Sequence, residues 1–92
     1  LHGNEETGWQ AVQSALRDFG ARPLPRTLLL FVGNIAAAKA NVRTLPAQTD
    51  YNRAWPGTLH TETPEAAAMR QVTDIVRKAQ PFASIDIHNN TG

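Results

Sequence analysis

Apolar residues recur at spacings of three and four in two stretches of this chain, and a continuous apolar run lies between them. Trp9, Val12, Leu16 and Phe19 make the first stripe, which predicts a helix beginning near Glu5. Asn4 or Thr7 is placed to cap it, and Glu5 and Glu6 suit the positive end of the helix dipole. Gly20 supplies a stop, and Pro23 and Pro25 confine the next stretch to a linker. The second helix has the clearer start: Thr63 fits the N-cap, Pro64 the first helical position, and Glu65 the first turn. Val72, Ile75, Val76 and Ala79 form its inner stripe, Arg77 and Lys78 suit its negative end, and Pro81 comes just after its expected close.

The continuous run TLLLFV at 27–32, bounded by Pro25–Arg26 and Gly33–Asn34, has the length and composition of a strand buried on both faces. IAAAKA after it predicts a helical turn. From Val42 to Thr61 the periodicity is lost, with Pro46, Pro56 and Gly57 breaking it. FASIDIH at 82–88 alternates like a strand that ends in polar residues. Helix, strand, long loop, helix, strand is an α/β order, most simply a mostly parallel sheet flanked by helices. Sites in such sheets gather where the carboxyl ends of strands run into loops. His88 occupies one such end, and His2 occupies another if a strand precedes Leu1.

Ninety-two residues allow one small domain with a modest core. With 41% hydrophobic and 18% charged residues the chain is globular in composition rather than disordered. A formal charge of +1 gives no electrostatic reason to expect nucleic acid. No apolar run approaches the ~20 residues of a membrane span, and no segment has the build of a signal peptide. The absence of Cys excludes disulfides and thiolate zinc sites and fits a cytoplasmic protein. Both ends have the character of cuts in a longer chain, so a missing targeting segment carries little weight.

The candidate chemistry begins with His2 and Glu5. On a helical first turn, or a loop entering it, residues three apart share a face, so imidazole and carboxylate converge on one ion. Zinc accepts both donors, and a catalytic zinc takes three protein ligands with a position left open. His88, at a strand end, is the candidate third. Taken alone, H-x-x-E is equally a surface His beside a solvated helix-start carboxylate, and a His after a strand often caps a loop.

Four segments together change that balance. HGNEETG resembles the first zinc motif of the succinylglutamate desuccinylase/aspartoacylase branch of the zinc carboxypeptidase superfamily, with His2 and Glu5 in the ligand positions. GNIAAAKANVR is similar to that branch's N-P-x-A…R segment and sets Arg43 at its arginine. DYNRAWPG is similar to D-x-N-R-x-F-P-G and carries Asp50, Asn52 and Arg53. DIHNNTG resembles D-x-H-N-T-T, with His88 as third ligand. The motifs come in the family's order and span the chain almost end to end. Ile35 replaces the usual Pro, loosening a turn, and Trp55 replaces the usual Phe beside the arginine.

The resemblance implies the N-terminal portion of a zinc-exopeptidase-like (phosphorylase/hydrolase-like) catalytic domain. Its expected activity is zinc-dependent hydrolysis of the amide or ester bond of small N-acyl amino acids. Zn2+ would be held by His2, Glu5 and His88, and Asp50 would take the far nitrogen of His2. Arg43 would stabilise charge on the carbonyl oxygen, while Asn52 and Arg53 would bind a substrate carboxylate. Asp86 either supports a ligand histidine or hydrogen-bonds at a buried strand end, and Trp55 packs. The family's general base is a Glu beyond the third ligand, so it is expected downstream of Gly92. A peptide-cleaving zinc carboxypeptidase and a metal-binding module without turnover are the alternatives. No nucleic acid or membrane partner is expected; the oligomeric state stays open, a homo-oligomer included.

Overall fold

The computed structural model describes residues 1–89. Three helices and a 3-10 turn come in order: α1 (Thr7–Phe19), α2 (Ile35–Lys39), the 3-10 turn (Tyr51–Arg53) and α3 (Pro64–Ala79). Helix α3 starts as its sequence dictates: Thr63 is extended, its hydroxyl accepts the Ala66 amide, and Pro64 fills a position whose N–H needs no partner. It ends at Gln80, which takes the left-handed conformation (φ 47°) just before Pro81. Helix α1 begins two residues later than its stripe predicts and has no side-chain cap; neither Asn4 nor Thr7 takes that role. It stops at Gly20, as expected. Helix α2 is only five residues long and depends on its cap, Asn34, whose side chain accepts the Ala37 amide.

The best-buried apolar residues are few. Met69 is fully enclosed and packs with Ala54 and Ala66, while Leu1, Tyr51, Trp55, Ala68 and Val72 close around them. This cluster joins α3 to the 3-10 turn and so fixes the base on which residues 50–53 stand. The inner face of α3 therefore starts a turn earlier than the predicted stripe, at Ala66 and Met69; Ile75 is 54% exposed.

The segment at 27–32 lies between the two long helices. Residues 24–28 share an apolar crevice with Val12, Ala15, Leu16 and Phe19 of α1, and Leu29, Leu30 and Phe31 share another with Val72, Ile75 and Val76 of α3. Among the described residues no strand is paired: neither 27–32 nor 82–88 enters a hydrogen-bonded ladder. Expected to be buried on both faces, residues 28–32 instead remain 42–53% exposed. A strand is completed by a neighbour that takes its N–H and C=O groups, and these two segments do not supply that to each other. Trp9, expected in the helix core, is likewise 47% exposed. Among the described residues no helix is long and apolar enough to cross a membrane.

Two backbone approaches bring distant segments to one end of the molecule. A methyl group on Gly3 would overlap the Ala37 carbonyl and the Ala38 amide, so the chain beside His2 rests directly on α2. A Cβ on Gly8 would come within 2.7 Å of the Ile87 carbonyl oxygen, so the segment carrying His88 runs against the first turns of α1.

Met69→Ala is expected to destabilise the fold by ~2–5 kcal/mol, since a fully buried side chain leaves a cavity between α3 and the 3-10 turn. Urea unfolding should show it as a lower midpoint with an unchanged slope.

Candidate metal centre

His2 and Glu5 sit on a tight turn ahead of α1, closed by the Glu5 amide donating to the His2 carbonyl (3.4 Å). The loop entering the helix, rather than its first turn, carries the H-x-x-E spacing. Gly3 N donates to Arg43 O (3.1 Å), which stitches this turn to the chain leaving α2. The His2 and Glu5 side chains are each only 4% exposed.

The His2 ring lies between two carboxylates. Its Nδ1 is 2.7 Å from Glu5 Oε1, and its Nε2 is 2.8 Å from Asp50 Oδ1. A neutral imidazole carries one N–H and one lone pair. One ring nitrogen therefore donates its N–H to the carboxylate it faces, and the other presents a lone pair to the second carboxylate. With Nε2–H donated to Asp50, the bare nitrogen is Nδ1, and it faces Glu5.

Asp50 is held from three sides. Its Oδ1 accepts His2 Nε2–H and the Asn52 amide (2.8 Å), which makes it the cap of the 3-10 turn; its Oδ2 accepts Arg43 Nη2–H (3.1 Å). Burial disfavours its charge, but the hydrogen bonds from His2, Asn52 and Arg43 outweigh burial and hold its pKa below the ordinary carboxylate value. The Arg43 guanidinium also lies 3.8 Å from Glu5 Oε1 and is 42% exposed, so it bridges both acids from the solvent side.

Asn52 and Arg53 project from the 3-10 turn beside Asp50. Asn52 is half-buried; Arg53 is exposed and donates Nη1–H to the neighbouring Asn52 carbonyl (3.2 Å). Trp55 packs on the Met69 cluster. The ring of His88 is exposed, with Nδ1 3.1 Å from Asn89 O. Asp86 is exposed, as is His60. Asn90 and Thr91 of the DIHNNTG segment lie outside the described residues. The fold thus gathers His2, Glu5, Arg43 and Asp50, brings the backbone beside His88 to the same end of α1, and leaves the His88 ring apart. Among the described residues no group of three His, Cys, Asp or Glu side chains surrounds a common point.

Two of these side chains, His2 and Glu5, carry donor atoms of the kind a divalent metal takes. Among the described residues Glu5 Oε2 is buried without a hydrogen-bond partner, and His2 Nδ1, bare when Nε2–H is given to Asp50, faces the same carboxylate. An imidazole nitrogen and a carboxylate oxygen with spare capacity are two ligands of the kind zinc takes, and Asp50 on the far nitrogen is the support such a histidine receives. Sequence reasoning assigns no role to two residues here: Asn34, which heads the IAAAK turn within GNIAAAKANVR, and Gln48, which has no local signal.

Asp50→Ala removes the partner of a buried N–H and should cost ~1–3 kcal/mol at neutral pH in urea unfolding. Asp50→Asn keeps an acceptor and should cost less. Because the folded-state pKa of Asp50 is depressed, its ionic contribution is complete above the unfolded-state value of ~3.9. It is lost as pH falls through the folded value. The stability gap between wild type and Asp50→Asn should therefore be constant above about pH 5 and shrink on acidification below it; a gap that widens there contradicts the arrangement.

The sequence model of the succinylglutamate desuccinylase/aspartoacylase catalytic domain matches residues 1–91. No curated protein and no solved structure matches the chain significantly. The family match runs through the turn holding His2 and Glu5, the loop from Arg43 to Asp50 and the segment of His88, so this chain belongs to the succinylglutamate desuccinylase/aspartoacylase family of hydrolases.

Proposed function

We propose that this protein is a zinc-dependent hydrolase of small N-acyl amino acids, cleaving the amide or related ester bond. The observation that supports it best is the buried His2 ring set between Glu5 and Asp50, with Glu5 Oε2 unpartnered. In this reading His2, Glu5 and His88 hold the metal within an α/β domain in which 27–32 and 82–88 serve as strands. A zinc ion held by these residues would polarise the substrate carbonyl and acidify a bound water toward a pKa of ~7.

The chain's own residues supply the rest. Asp50 keeps the Nε2 proton of His2, which fixes the ring's tautomer and leaves Nδ1 as the donor atom. Arg43, on the solvent side of both acids, is the preorganised donor for negative charge developing on the substrate oxygen. Asn52 and Arg53 bind the substrate carboxylate, a planar guanidinium matching two oxygens where a lysine cannot. No residue of this chain is assigned as the proton-transferring base; Glu62 precedes α3 and Glu65 lies in its first turn.

The test has two parts. The protein should bind one zinc, and His2→Ala combined with His88→Ala should abolish that binding; undiminished binding rejects the site. On a panel of N-acyl amino acids and peptides, kcat/KM should favour the N-acyl amino acids. Arg53→Lys should raise KM for carboxylate-bearing substrates by about 10- to 100-fold with kcat little changed. Preference for peptides would reassign the substrate, and zinc binding without turnover on any amide or ester would remove the enzymatic reading.

A further inference from the structure

Helix α2 and the loop after it contain an amide pair, Asn34 buried and Gln48 half-buried, hydrogen-bonded to neither His2 nor Glu5. Asn34 is 5% exposed. Its Oδ1 accepts the Ala37 amide (3.2 Å) and its Nδ2–H donates to Gln48 Oε1 (2.7 Å). The same Gln48 oxygen accepts the Leu45 amide (2.9 Å), so both of its lone pairs are used. One side chain thus ties the start of α2 to the middle of the loop that carries Arg43 at one end and Asp50 at the other.

That loop needs holding. Within the turn at 45–48, closed by Gln48 N donating to Leu45 O (3.1 Å), Ala47 sits at φ 62°. A residue with a Cβ stays in the left-handed region only where its surroundings impose it. The Gln48 side chain imposes it by closing the turn onto Leu45 N and anchoring it to Asn34. Two residues before Leu45, Arg43 meets Gly3 through its carbonyl and Asp50 through its guanidinium; two residues after Gln48, Asp50 meets His2.

We infer that Gln48 is a positioning residue: by clamping the 45–48 turn to Asn34 it sets the reach of Asp50 to His2 Nε2 and of Arg43 to Asp50. Its contribution to hydrolysis rests on the zinc-hydrolase reading; its control of the His2–Asp50 hydrogen bond does not. Gln48→Met keeps the volume and removes the acceptor. Gln48→Glu keeps an oxygen for both Asn34 Nδ2–H and Leu45 N–H, and gives up only the long 3.5 Å contact from Gln48 Nε2 to Asn34 Oδ1.

The deciding experiment is 15N NMR of the histidine rings in metal-free protein, paired with zinc titration of the same variants. In wild type the His2 ring should show a protonated, hydrogen-bonded Nε2. Gln48→Met should lose that signature with backbone dispersion intact, and Gln48→Glu should restore it. Zinc Kd should weaken about 10-fold or more in Gln48→Met and return to within about threefold in Gln48→Glu. An unchanged His2 signal in Gln48→Met, or equal loss in both variants, overturns the inference. If Gln48→Met does not fold, Gln48→Asn, whose amide stops one methylene short, takes its place under the same criteria. Wild-type protein that shows the His2 signature but takes up no zinc would defeat the metal reading and leave the NMR comparison to decide the role of Gln48.

Discussion

A single imidazole pressed between two carboxylates organises this end of the protein. His2 is buried, and each ring nitrogen faces an acid at hydrogen-bonding distance. Burying acidic groups is costly unless a compensating charge or proton accompanies them. Arg43 answers part of that cost from the solvent side. It leaves the Nδ1–Glu5 contact less compensated, and among the described residues Glu5 Oε2 has no hydrogen-bond partner. Everything else near the site serves to bring these four side chains within reach of one another.

The scaffolding is mostly backbone. Gly3 lies flat on α2 because no side chain fits there, and its amide reaches the Arg43 carbonyl. Asp50 has two roles, capping the 3-10 turn with the same oxygen that receives the His2 proton. That turn stands on Met69 through Ala54. Displacing α3 would therefore move Asn52, Arg53 and Asp50 together, linking the small apolar cluster to the placement of the Asp50 carboxylate as well as to stability.

Features decided by local chemistry were legible in the sequence. Thr63 and Pro64 start α3, and Gly20 ends α1, because capping and φ preferences act within a few residues. The inner face of α3 was misplaced by one turn, since Ala66 and Met69 carry less of an apolar signal than the β-branched Val72, Ile75 and Val76. Burial of 27–32 and of Trp9 was overestimated because apolar composition does not say which neighbour arrives; the two candidate strands do not pair among the described residues. His2 and Asp50 are 48 residues apart, and only resemblance among whole motifs suggested their meeting. The Asn34–Gln48 bridge was invisible for the same reason: a glutamine in an aperiodic loop has no pattern to betray what it touches.

The central claim is that His2, Glu5 and His88 enclose one zinc ion. X-ray absorption at the zinc edge of the purified protein tests it most directly. The account predicts a first shell of nitrogen and oxygen donors at ~2.0–2.2 Å with the outer-shell scattering of two imidazoles. A spectrum lacking imidazole scattering, or protein that retains no zinc after exposure to it, would contradict the account.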